Sequence, residues 1–171
     1  EIVNHLENKG SLPQSVCNTW VRLSKNLQKE IKVVENEIKN LLTKHTILAQ
    51  QCKNLQTIPG IGKTTAIAIL AEAPDLSQFA SAKQFAAYAG LVPRHKSSGS
   101  SVRGRARLSK LGSSKLRKDV YFPAVVAKNH NPIMKAFSNK LKRKGKHTMV
   151  IIGAIMRKLL HIVFGVLKHN N

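Results

Sequence analysis

The sequence predicts an all-α chain: a long coiled-coil-like helix followed by a compact helical bundle that contains a helix-hairpin-helix. Three observations carry this. Apolar residues recur at a strict spacing of seven from Trp20 to Leu55, the seam of a coiled coil. The rest of the chain is punctuated by Ser, Asn, Pro and Gly where helices start and stop. No segment alternates apolar and polar residues as a half-buried strand would.

Residues 13–57 read as one continuous helix, and 1–57 as a dimerisation segment. Trp20, Leu27, Val34, Leu41, Leu48 and Leu55 form one line; Ile31, Ile38 and Cys52 fall on a second, which Ser24 and His45 interrupt. Lys29, Lys32, Glu35, Glu37 and Lys39 flank the seam as a solvated face. Such a stripe needs a second chain or a further domain. A homo-oligomer, dimer or higher, is the expectation.

Residues 58–171 read as a second domain. From Leu55 to Leu70 a helix ends, a turn Ile58-Pro59-Gly60-Ile61-Gly62 follows, and an apolar helix begins near Gly62. This is the apolar-Pro-Gly-apolar-Gly pattern of a helix-hairpin-helix. Gly60 and Gly62 would let a phosphate approach the main chain, and free N–H groups at a helix start bind anions. Lys63 and Thr64 add side-chain contacts. Contacts of this kind position a duplex without reading its sequence. A nucleotide P-loop does not fit: its earlier glycine falls on Thr57, and a helix rather than a strand precedes. The plain alternative is a tight interhelical turn with no ligand.

Ala73-Pro74-Asp75 stops the second helix. Ser81 starts a short one, with Gln84 at capping-box spacing and Gly90 as its stop. Phe79, Phe85 and Tyr88 should pack against the hairpin. Residues 91–112, rich in Ser, Gly and bases, read as a long loop, functional or disordered, and Ser97–Ser101 by itself reads as a flexible linker. Three helices complete the chain: 113–129 with a kink at Pro123, one from Pro132 behind an Asn131 cap to near Gly145, and one from Thr148 to Lys168. Met149–Leu167 is rich in Ile, Val and Leu, but Arg157, Lys158 and His161 interrupt it. A buried helix, not a membrane span, is expected.

Charge points to the partner. The net charge is +21 over 171 residues. Residues 1–90 hold 10 Lys/Arg against 7 Asp/Glu, a net of +3, whereas residues 91–171 hold 19 against Asp119 alone, a net of +18. A polyanion is the natural counterpart. The DNA-binding candidates in this half are Arg94, Lys96, Arg103, Arg105, Arg107, Lys110 and Arg117, then Lys142, Arg143 and Lys144 in a cluster with Lys140 and Lys146. The eight acids have no spacing that assembles a two-metal carboxylate site. Cys17 and Cys52 form no CxxC pair, which fits a reduced cytosolic compartment. No metal site is therefore assigned here. The chain opens on Glu1 without Met, so a fragment is expected.

The order of motifs resembles one family. Ile58-Pro-Gly-Ile-Gly is followed by Phe85-Ala-Ala-Tyr-Ala-Gly-Leu-Val-Pro93, Ser98-Gly99, Gly104, Leu108-Ser-Lys110, Gly112 and Leu116-Arg117. Across residues 55–130 this is similar to the Piv/MooV-like transposases of bacterial insertion sequences, or bridge recombinases. The resemblance implies a two-part enzyme. A RuvC-like N-terminal domain, absent here, would bind Mg²⁺ through four acidic residues, and a C-terminal domain would supply a serine that forms a phosphoserine link to DNA. A guide RNA would choose the DNA partners. Carried onto this chain the serine is Ser98, directly before Gly99, with Ser97 as second choice because the two serines are adjacent. His95 suits phosphate contact better than base catalysis, and Tyr121 reads as helix core or DNA contact rather than as a rival nucleophile. The expected function is DNA strand exchange in the bacterial cytoplasm, associated with the nucleoid, with this piece inactive alone. The alternatives are a non-enzymatic dimeric helix-hairpin-helix DNA-binding protein and a structural RNA-binding protein.

Overall fold

The computed structural model describes residues 13–73, 75–94, 97–98, 102–103 and 107–169, with backbone alone at 97–98 and 102–103. The chain divides into two units, 1–46 and 47–171. In the first, α1 (Gln14–Lys44) runs for 31 residues. Trp20, Leu27, Ile31, Val34 and Leu41 are exposed along it, Trp20 by 56% and Leu27 by 63%. The expected single helix is interrupted at His45, which leaves helical geometry at φ −115° and ψ 86°. Thr43, His45 and Thr46, all modest helix formers, surround the break. Helix α2 (Thr46–Gln56) resumes beyond it. The seven-residue line therefore serves two ends. Leu55 is fully buried in the core of the second unit, because burial in a bundle satisfies the same spacing as a coiled coil.

The second unit continues with α3 (Lys63–Glu72), a 3-10 turn (Leu76–Gln78) and α4 (Ala82–Tyr88). After these come α5 (Ser114–Asp119), α6 (Tyr121–His130), α7 (Pro132–Arg143) and α8 (Thr148–His169). The predicted all-α class holds. Helix α8 is its centre and packs against α4, α6, α7 and the 3-10 turn. Ten of its residues are buried, from Ile151 to Leu167. It is long and apolar enough to cross a membrane by composition, but that apolar surface is the core of this unit. The aromatic residues also meet one another and α8. Phe79 meets Phe85 and Tyr88 at ring-centroid distances of 5.4 and 5.6 Å, and Phe85 meets Phe164 of α8 at 6.1 Å.

Local chemistry sets the boundaries. Ser81 Oγ accepts from Gln84 N, while Gln84 Oε1 accepts from Ala80 N, closing the start of α4. Asn131 Oδ1 accepts from Ile133 N and Met134 N, with Pro132 at the first position of α7. The expected helix 113–129 is two helices that break at Val120. Pro123 has no N–H to offer the Asp119 carbonyl, so the ladder is interrupted one turn ahead of it.

Within the expected loop 91–112 the described residues pair locally. Two antiparallel ladders form there: β1 (Pro93–Arg94) with β4 (Arg107–Leu108), and β2 (Ser97–Ser98) with β3 (Val102–Arg103). Rungs of two residues are too short for an alternation of apolar and polar residues to register in the sequence. Gly112 anchors the returning strand: at φ +123° any Cβ there would overlap the Tyr88 carbonyl.

Candidate nucleic-acid interface

Three features of the second unit carry the residues singled out above. The first is the turn between α2 and α3, residues 57–62. Its glycines have different roles. Gly60, at φ +107°, faces inward: a Cβ there would lie 2.9 Å from Ala127 Cβ and 3.0 Å from the Pro123 carbonyl oxygen. Its smallness serves packing on α6, and Asn131 Nδ2 ties the same turn down by donating to Pro59 O at 3.4 Å. Gly62 is exposed, with open space around its Cα. It caps α3 without a side chain, and no acid occupies the first turn. Lys63 and Thr64 are exposed beside it. Gly62, not Gly60, is thus the glycine that leaves the start of α3 open to solvent.

The second feature is the arm from Pro93 to Leu108. Arg94 and Arg107 are exposed and directly paired in register across β1 and β4. Side chains opposite each other on antiparallel strands lie about 5 Å apart at Cβ, and like charges there repel. Beyond this rung, Ser97 pairs with Arg103 and Ser98 with Val102. Lys96, Arg105 and His95 lie outside the described residues, as does Gly99. Lys110, exposed, turns the chain at the root with φ 56°.

Arg117 makes a contact within the fold. It is half-buried, and its Nη1 donates to Ala89 O at 2.9 Å, so its guanidinium braces the end of α4. The third feature is the end of α7, where Lys140, Lys142, Arg143, Lys144 and Lys146 are all exposed. The one ion pair among the described residues, Lys115–Glu72 at 3.3 Å, neutralises none of them.

Residue chemistry elsewhere is limited. His161 is half-buried with an unpartnered Nε2. Burial pulls its pKa below the ordinary histidine value, and Arg157 and Lys83 push the same way. Among the described residues no three His, Cys, Asp or Glu side chains converge as metal ligands, so they do not fit a divalent ion. Sequence reasoning missed two apolar grooves beside Leu108, at the root of the arm. Their signal was the pair Met149-Val150, apolar and exposed immediately before the buried stripe of α8 begins at Ile151.

Fold and site together define a cationic helical domain with a short β arm. Comparison with known proteins supplies the family. The profile of the transposase IS116/IS110/IS902 family matches residues 52–139, which include the α2–α3 turn, the arm and most of α7. The chain belongs to this transposase family. The pilin gene-inverting protein of Moraxella bovis is 38% identical over 82% of this chain and 44% of its own length. The insertion element IS110 uncharacterized 43.6 kDa protein of Streptomyces coelicolor is 28% identical over 80% of this chain and 33% of its own length. A probable family 20 transposase of Pseudomonas aeruginosa is 28% identical over 87% and 42%. The chain spans less than half the length of each of these relatives.

Proposed function

We propose that this chain is the part of a DNA transposase that grips sugar-phosphate backbones and presents a serine to one DNA phosphate. The observation that carries the reading is the Arg94–Arg107 rung at the root of the arm that holds Ser97 and Ser98. Two like charges held opposite each other are unfavourable alone and favourable around an anion. Membership in a transposase family favours this over the non-enzymatic helix-hairpin-helix protein.

The chemistry is a transesterification. Ser98 Oγ forms a bond to phosphorus as the bond from phosphorus to one deoxyribose oxygen breaks. The serine loses its proton and the departing sugar oxygen gains one, which leaves a phosphoserine link. A sugar hydroxyl of the partner strand then displaces the serine by the reverse step. Arginines around the arm stabilise the charge that develops on the equatorial oxygens. We place the acidic residues and Mg²⁺ implied by the resemblance in an N-terminal RuvC-like domain, and this chain alone is expected to cleave nothing. Ser97 remains the alternative nucleophile.

Grip on the duplex comes from the helix-hairpin-helix through Gly62, Lys63 and Thr64, and from the Lys142–Lys144 cluster. Such contacts carry no sequence information, so site choice falls to another molecule, for which a guide RNA is our reading. The exposed stripe of α1 is the surface for a homo-oligomer, and the setting is the bacterial cytoplasm. Replacing Ser98 with Ala and, separately, Ser97 with Ala in the full-length enzyme tests the central step. Loss of recombination and of the serine-linked DNA adduct in Ser98→Ala alone is the expected outcome. Full recombination by Ser98→Ala removes its nucleophilic role.

A further inference from the structure

Two grooves open beside Leu108. One, of about 660 Å³, is lined by Leu91, Pro93, Arg107, Met149, Val150 and Arg157. The other, of about 340 Å³, is lined by Lys118, Tyr121, Phe122, Ile152 and Met156. They share Leu108, Lys110, Met149 and Gly153. Both have an apolar floor and a cationic rim, and no acidic residue lines either. Phe122 is 74% exposed, and its ring stands edge-to-face with Tyr121 at a centroid distance of 5.4 Å. An exposed ring steadied by a second ring is a stacking platform.

We propose that these grooves hold an unpaired nucleobase of the DNA at the point of strand exchange, stacked on Phe122 with its phosphate near Arg107, Lys110 and Arg157. The inference rests on the DNA-binding reading and extends it. The chemistry selects this occupant. A flat apolar body joined to an anion matches an apolar floor ringed by Arg and Lys, and base-on-aromatic stacking tolerates any base. The volumes fall within the range that takes small ligands. Leu108 and Met149 line both grooves, so Phe122 and the Arg107–Arg157 rim border adjoining space. The position also matters. Pro93, Arg107 and Leu108 of the grooves belong to the β1–β4 ladder, next in sequence to the β2–β3 pair that carries Ser98, and bases beside an exchanging phosphate must leave one partner before finding the next. Housing one of them offsets the loss of stacking, which otherwise amounts to a few kcal/mol.

The test compares two 30-base-pair duplexes at matched salt, one fully paired and one with a single bulged nucleotide at its centre. The full-length protein is expected to prefer the bulged duplex by about tenfold, the scale of one base-on-aromatic stack. Phe122→Ala and Val150→Glu should each abolish the preference, both at exposed positions where folding tolerates change. Ile133→Ala, exposed on α7, should keep it. Equal affinity of the wild type for both duplexes overturns the groove proposal and leaves the DNA-binding reading standing. Failure to bind either duplex overturns both. An unchanged preference in Phe122→Ala and Val150→Glu, with a shift in sedimentation coefficient, assigns the grooves to a protein interface instead and overturns the proposal.

Discussion

Leu108 rests on Gly153: a Cβ at Gly153 would lie 3.2 Å from Leu108 Cδ1. This contact seats the returning strand of the arm on α8, the helix around which the second unit is built. Leu108→Ala should cost about 1–2 kcal/mol, below the range for a fully buried leucine because Leu108 is half-buried. Gly153→Ala should be tolerated, since only a side-chain tip has to move. Gly153→Val should displace Leu108 and weaken DNA binding. Urea melts and duplex titrations check all three; a Gly153→Val variant that binds as the parent does would detach the arm's seating from its function.

The two glycines of the α2–α3 turn should respond in opposite ways. Gly60→Ala forces a side chain into the left-handed region against Ala127 and Pro123, with strain of about 1–3 kcal/mol. Its melting temperature should fall. Gly62→Asp meets open space at an extended φ of −88° and provides a side-chain cap, so stability should hold or rise by a few tenths of a kcal/mol. Its carboxylate would occupy the anion site, and duplex affinity should drop. Equal DNA affinity in Gly62→Asp and parent would exclude the hairpin from the interface.

Arg94→Gln or Arg107→Gln removes one charge from a like-charged rung. Folding stability should rise slightly, by about 0.2–1 kcal/mol. The slope of log K against log salt for duplex DNA should become shallower by about one for each arginine lost. An unchanged slope would mean that neither guanidinium contacts phosphate.

Arg117→Gln should behave in the reverse manner. Loss of the charged bond to Ala89 O is expected to lower stability by about 1.5–3 kcal/mol, with the salt slope unaltered. Thermal melts alongside salt titrations separate the two kinds of arginine.

His161 should make the fold acid-sensitive. Its folded pKa is depressed by burial, with Arg157 and Lys83 adding to the effect, so the unfolded chain binds the proton more readily. Its contribution is therefore complete above the ordinary histidine value of about 6.5 and is lost as pH falls below it. His161→Leu should narrow the gap between melting temperatures at pH 7.5 and pH 5.0. An identical gap in both proteins would assign the acid response to other groups.

Much of this molecule was legible in its residue order. Caps at Ser81 and Asn131, stops at Gly90 and Gly145, and the apolar run of α8 are local signals, and each placed its helix because capping and periodicity act within one or two turns. The imbalance of nineteen bases against one acid in the second half likewise needed no coordinates to point to a polyanion. Other features depended on residues far apart in the chain. Gly60 and Gly62 look alike in sequence, but only the approach of α6 turns the first into a packing residue. Arg117 and Arg107 are both basic, and only the Ala89 carbonyl converts one into a brace. The seven-residue line is blind to whether Leu55 meets a second chain or its own core. Local free energies select helices and their ends; which face is wet, which cation is free and where an apolar groove opens are decided by long-range packing that no local pattern encodes.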